Sequence, residues 1–256
     1  MLQNIKIGTI TANYNNGKYL KECLQSILNQ TLKPNIICIV DDGSKQEDIN
    51  IIKNIFEELK FKFIGQNDRW LHFVINGISV AFYDAGVNKG PARARNIALE
   101  YLKDRVDVVF VADADDVYYP DKIKKSIDIM KKYEYVGLVY SDYDIYNEST
   151  QELQREYKES FNLQKLFQEC IVSNNSCFLT KAIDKVGYYD ESLFGPEDYD
   201  MWLRLADYYA VYHIPEALYK YRISGNNITI TTPKHQFAEH VARVHEKALE
   251  RYNGKI

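Results

Sequence analysis

Apolar residues in the first half of the chain alternate between two rhythms. Continuous apolar runs at 5–11, 36–40 and 106–112 read as buried strands. Between them, apolar positions recur every three or four residues and predict amphipathic helices. One carries Leu20, Cys23, Leu24, Ile27 and Leu28, a second Ile52, Ile55, Phe56 and Leu59, and a third spans 92–102. Strands alternating with helices predict an α/β fold whose mostly parallel sheet is covered on both faces. Ligands in such folds bind beyond the carboxyl ends of the strands. The rhythm breaks over 61–85, where two apolar runs flank Asn76-Gly77, the turn pair of a tight hairpin. This insertion reads as a surface hairpin in preference to a flap that shapes a substrate. Beyond Asp116 the pattern predicts a helix at 121–132, a strand at 136–140 and a polar stretch at 143–159. A second strand-helix region follows, then a tail helix at 234–252 with Phe237, Val241, Val244 and Leu249 on its apolar side. No repeat, low-complexity segment or linker divides the chain, so one domain over 1–256 is expected.

Composition narrows the classes. With 46% hydrophobic and 27% charged residues the chain has the make-up of a globular protein, and its net charge of −4 offers no global basic field for nucleic acid. Cys23, Cys38, Cys170 and Cys177 lack metal-site spacing, and the first two fall at apolar positions, so buried free thiols are expected. The five histidines have no ligand spacing either and read as surface residues. The N-terminus carries no signal peptide, and no apolar run is long enough to cross a bilayer. A reducing cytoplasm is the expected location, with membrane contact limited to peripheral attachment at the inner face.

The third apolar strand ends in Asp113, Asp115 and Asp116, three carboxylates within four residues. Like charges this close repel unless something positive joins them. Mg²⁺ and Mn²⁺ take oxygen ligands and commonly bind through one or two carboxylates together with substrate phosphates. Taken alone, the cluster reads more readily as a solvated acidic turn than as a cation site. A calcium loop is excluded, because Tyr118 and Lys124 stand where that loop needs glycine and glutamate.

Four further motifs accompany it. Ala12-Asn13-Tyr14-Asn15 follows the first strand, and Asp41-Asp42-Gly43-Ser44 closes the second. Gly90-Pro91-Ala92-Arg93-Ala94-Arg95-Asn96 opens the helix before the acidic strand, and Gly195-Pro196-Glu197-Asp198 lies some eighty residues beyond it. In this order the set resembles the family 2 glycosyltransferases, inverting enzymes of the GT-A (Rossmann-like) fold, over about residues 5–229. The resemblance implies a nucleotide-binding half at 1–116, with Ala12, Tyr14, Asp42, Arg95 and Asp113 as nucleotide-binding residues. Asp42 would accept the uracil N3–H of a UDP-sugar. Mn²⁺ or Mg²⁺ would be held by Asp115, with Asp113 assisting or touching the ribose. An acceptor half at 117–232 would contribute Asp198 as general base and Glu197 as its orienting partner. Trp202 has two readings, stacking on an acceptor sugar or packing in the core. The acceptor would be a glycan, a lipid-linked saccharide or a protein. Two departures stand out: Ser224 occupies the place of a metal-binding histidine of the family, with Asn226 or a water as substitute, and the Gln-x-x-Arg-Trp signature of processive synthases is absent. Rival readings are a sugar-nucleotide nucleotidyltransferase, which lacks its glycine-rich basic loop here, and a non-catalytic nucleotide- or glycan-binding module.

Overall fold

The computed structural model describes residues 4–225 and 227–254. Its first half runs β1 (Ile7–Asn13), α1 (Gly17–Leu28), β2 (Ile36–Asp41), α2 (Gln46–Glu58), β3 (Lys62–Asn67), β4 (Trp70–Ile75), β5 (Ile78–Asp84), α3 (Pro91–Leu102) and β6 (Val108–Val111). The second half continues with β7 (Val117–Tyr118), α4 (Lys122–Lys132), β8 (Val136–Asn147), β9 (Glu152–Glu156), α5 (Leu163–Gln168), β10 (Cys177–Leu179) and α6 (Ile183–Val186). It closes with α7 (Glu197–Ala206), β11 (Ala210–Ile223), α8 (Ile228–Thr231) and α9 (Lys234–Asn253). The predicted helical face of α1 is sealed: Leu20, Leu24 and Ile27 have no exposure, and Cys23 beside them is a buried free thiol like Cys38. The strands of the parallel core are apolar throughout because both of their faces are covered.

Among the described residues one sheet runs β3-β4-β5-β2-β1-β6-β10-β8-β11-β7, with β9 paired to β8. β5, β2, β1 and β6 are parallel neighbours. β10 then enters antiparallel between β6 and β8, so the chain direction changes beside β6. This seam brings the residues just before β10 next to the acidic end of β6. The 61–85 insertion is not the surface hairpin expected from its Asn-Gly turn. β5 pairs in parallel with β2 from Ile36↔Ser79 to Asp41↔Asp84, and its Val80, Ala81 and Phe82 are buried. Only β3 and β4 extend outward, as an antiparallel edge. The polar stretch 143–159 also has structure: β8 continues to Asn147 and β9 folds back on it. Exposure of one face of this hairpin gives it a polar sequence. His213 is buried on β11 against Asp142 at 2.8 Å, against the expectation of a surface residue. No helix among the described residues is long and apolar enough to cross a membrane.

Candidate active site

The four residues of β6 are wholly buried, and the chain turns as it leaves the sheet, where the Asp116 amide donates to the Asp113 carbonyl at 3.0 Å. The three carboxylates thereby part company. Asp116 points inward and accepts from the Arg222 amide at 2.9 Å and from the Asn175 side chain. Burial, with the charges of Asp115 and Asp113, pushes its pKa well up. Asp113 accepts from Arg95 Nη2 at 2.8 Å on one oxygen and from Asn174 Nδ2 at 3.0 Å on the other. Asp115 is anchored by its main chain, whose carbonyl accepts from Arg222 Nε at 3.0 Å. Burial and the neighbouring Asp113 push its carboxyl up to about 6. Among the described residues no group of three or more His, Cys, Asp or Glu side chains forms a ready-made metal cage. Among the described residues no other side chain donates to the Asp115 carboxylate, which meets its own main-chain amide. Such a group beside a second acid fits a hard cation whose remaining ligands come from a substrate.

The nucleotide loops are built on β1 and β2. Asp41 accepts from Ser44 N at 2.8 Å, Ser44 Oγ at 2.6 Å and Asn13 Nδ2 at 2.7 Å, so it orders the loop. Asp42 faces the cleft and accepts from the amides of Lys89 at 3.1 Å and Gly90 at 2.7 Å, while burial raises its pKa. Gly43 joins the two loops at φ +75°, where a Cβ would lie 2.5 Å from the Val87 carbonyl carbon; no other residue fits. Ala12 and Tyr14 line the same wall, Tyr14 at its exposed rim.

Opposite stands the start of α7. Glu197 and Asp198 occupy its first turn, where the helix dipole favours negative charge. Glu197 accepts from Arg95 Nη1 at 2.5 Å and from the Gly195 amide at 2.9 Å. Burial outweighs the pull of Arg95 and leaves its pKa raised. Asp198 accepts from the Tyr199 amide at 2.7 Å, and burial together with Glu197 pushes its carboxyl up to about 7. Gly195 at φ +105° turns the chain into the helix, with the Phe237 ring of α9 only 2.8 Å from its would-be Cβ. Arg95 is 5% exposed and spans the cleft floor, one nitrogen on the acid of β6 and another on the acid of α7. The cleft measures about 600 Å³, a size suited to a nucleotide-sized ligand.

Residues 9–184 match the model of the glycosyl transferase family 2, which is most of the chain. This chain is a family 2 glycosyltransferase. It is similar to an uncharacterized glycosyltransferase of Methanocaldococcus jannaschii, 26% identical across 98% of this chain and 82% of that one. It is also similar to a chondroitin synthase of Escherichia coli, 26% identical over 91% of this chain, although the match spans only 31% of that protein. Among solved structures, S. aureus TarS in complex with UDP-GlcNAc superposes with a TM-score of 0.70 at 17% identity, over 95% of this chain and 66% of that one. A mannosyltransferase of Pyrobaculum calidifontis in complex with GDP-Man and Mn²⁺ superposes with a TM-score of 0.67 at 14% identity, over 97% and 65%. These neighbours share the GT-A fold, which this glycosyltransferase adopts.

Ala12, Tyr14, Asp42, Arg95, Asp113, Asp115, Glu197 and Asp198 of the glycosyltransferase all line the one cleft. Trp202 does not. It has no exposed surface and packs edge-on against Phe178 at 6.0 Å between centroids, so an acceptor sugar has no ring face to meet. The stacking reading is therefore replaced by the core reading. Sequence reasoning missed Asn174 and Asn175, which brace Asp113 and Asp116 across the sheet seam. It also missed Phe194, 41% exposed at the cleft mouth, and Lys158, Tyr143 and Tyr221 on its far wall. An aromatic next to the Gly195-Pro196 turn was the one available signal. The Ser224 amide donates to Asn227 Oδ1 at 2.9 Å, and Asn226 lies outside the described residues.

Proposed function

We propose that this glycosyltransferase moves a sugar from a nucleotide diphosphate donor, a UDP-sugar, to a hydroxyl of a saccharide, lipid-linked saccharide or protein acceptor, with inversion at the anomeric carbon. The observation that carries the reading is the convergence of Asp42, Asp115 and Asp198 on one cleft, with the Asp198 carboxyl pushed up to about 7. A base poised near neutral pH combines a useful ionised fraction with proton affinity. Asp198 takes the proton of the acceptor hydroxyl as that oxygen bonds to the anomeric carbon. The bond from this carbon to the diphosphate breaks on the opposite face, and its electron pair leaves with the phosphate oxygen. Glu197, tied to Arg95 and the Gly195 amide, holds the turn that aims the base. Asp42 accepts a base imide N–H, with its own geometry fixed by the Lys89 and Gly90 amides. Asp115 would hold a Mn²⁺ or Mg²⁺ ion, with Asp113 assisting from its place between Arg95 and Asn174. When bound, such a cation supplies positive charge to the diphosphate leaving group. The donors named in the neighbouring structures, UDP-GlcNAc and GDP-Man with Mn²⁺, support this class of substrate. Calorimetric titration of UDP and of GDP, each with Mn²⁺ and with chelator, tests it. Metal-dependent binding of UDP over GDP is expected, and absence of metal-dependent binding for either would refute the donor site.

A further inference from the structure

Five carboxylates line the cleft, Asp42, Asp113, Asp115, Glu197 and Asp198, against two cationic side chains, Arg95 and Lys158. Arg95 is committed to Asp113 and Glu197. Among the described residues no carboxylate pairs with the ammonium of Lys158, a residue that is half-buried as a whole. This lysine is held by its main chain rather than by its charge. Its amide donates at 2.8 Å to Asp142, a buried carboxylate that also bonds His213 Nε2 at 2.8 Å. The carbonyl of the next residue, Glu159, accepts from Tyr140 at 2.5 Å. Two side chains of β8 thus fix the point where Lys158 leaves the chain, and its side chain lines the cleft.

Lys158 lines the cleft from the side of β8, which β1, β6 and β10 separate from β2 and the Asp42 loop. α7, whose first turn carries Asp198, packs on β8, whose Asp142 anchors Lys158, and the charges of both residues are felt at Cys170, so the lysine is on the side of the base. A cation anchored there, without a protein partner, calls for a counter-charge from the ligand that approaches the base. We infer that Lys158 is the handle for a fixed negative charge on the acceptor, a sugar carboxylate or a phosphate next to the attacking hydroxyl. The acceptor of this enzyme is accordingly an anionic saccharide or polyol phosphate. The inference rests on Asp198 being the base that faces the acceptor.

The test uses the full chain saturated with UDP and Mn²⁺, titrated with methyl β-D-glucuronide, with its uncharged methyl ester, and with glycerol 1-phosphate. The wild type is expected to bind one charged probe about tenfold more tightly than the ester, the worth of one charge-assisted contact. Which charged probe wins separates carboxylate from phosphate. Lys158→Gln, which keeps the anchoring amide, should erase the preference and leave UDP affinity within about twofold. Equal binding of ester and charged probes by the wild type overturns the inference, as does a preference that survives in Lys158→Gln. Loss of UDP affinity in the variant overturns it too, by assigning the lysine to the donor diphosphate. Failure of the donor-site reading is visible separately, as failure of the wild type to bind UDP before any probe is added.

Discussion

Replacing Arg95 by methionine keeps the length of the side chain and removes the one cation shared by Asp113 and Glu197. The side chain of Arg95 is 6% exposed and that of Glu197 4%, whereas Asp113 is 23% exposed. The penalty therefore falls mainly on Glu197, left as a buried carboxylate without a counter-ion. Removing one partner of a buried pair costs about 3–5 kcal/mol, and we expect the lower end, about 3 kcal/mol, because water reaches Asp113. The cost depends on pH. Burial already holds Glu197 above its ordinary value of 4.5 against the downward pull of Arg95, so the variant raises it further. Between the unfolded and folded pKa values the native variant then binds more protons than its unfolded chain, and stability falls as pH rises through that window. Each tenfold gain in the proton affinity of Glu197 corresponds to about 1.4 kcal/mol, all of it regained on the acid side. Urea unfolding at pH 5 and pH 8 should show the variant much weaker at pH 8 and closer to wild type at pH 5. Arg95→Met combined with Glu197→Gln should lose less than the sum of the single changes, since the amide needs no counter-ion. A variant equally destabilised at both pH values, or additive effects in the pair, would refute the shared-cation argument.

The other expectations concern the base, the metal and the core. Asp198→Asn should leave UDP affinity unchanged by calorimetry and lower kcat by about 10²–10⁴; unimpaired transfer moves the base elsewhere. In the wild type, kcat/KM should rise with unit slope through about pH 7 as Asp198 loses its proton, and a profile flat from pH 5 to 8 contradicts that assignment. Asp115→Asn should remove the gain in UDP affinity that Mn²⁺ confers, whereas an unchanged gain excludes it as a ligand. Trp202→Ala should cost about 3–5 kcal/mol in urea unfolding while the folded fraction still binds UDP normally. A negligible loss of stability would return the ring to the surface.

Strands and helices of the first half were readable because a two-sided parallel sheet makes each buried strand a continuous apolar run. β5 belonged to that set, but its Asn-Gly turn spoke louder than its buried residues, and a turn says nothing about the partner on the far edge. β11 escaped notice because most of its residues are only half-buried, leaving Tyr212, His213, Lys220 and Arg222 among apolar neighbours. Cleft-lining residues were legible where they stand in a motif, as with the carboxylates that follow β6 and those that open α7. Asn174 and Asn175 belong to no motif, and only the reversal of direction at β10 brings them to Asp113. Trp202 shows the limit of helical periodicity, since a bulky apolar position on a helix reads alike whether it meets protein or sugar.

The reversal beside β6 also has a consequence for how the chain is made. Val108–Val111 pairs with β1 on one side and with Cys177–Leu179 on the other, and Cys177 follows Val111 by 66 residues. At synthesis rates of roughly 5–20 residues per second, the nascent β6 waits about 3–13 seconds for its second partner. During that interval a β-branched, fully apolar strand offers an open edge, the kind of surface on which chains stick to one another. The interior strand of the finished enzyme is thus a transient edge of the growing one. Slowed elongation between Ala112 and Ser176 is where aggregation of newly made chains should begin.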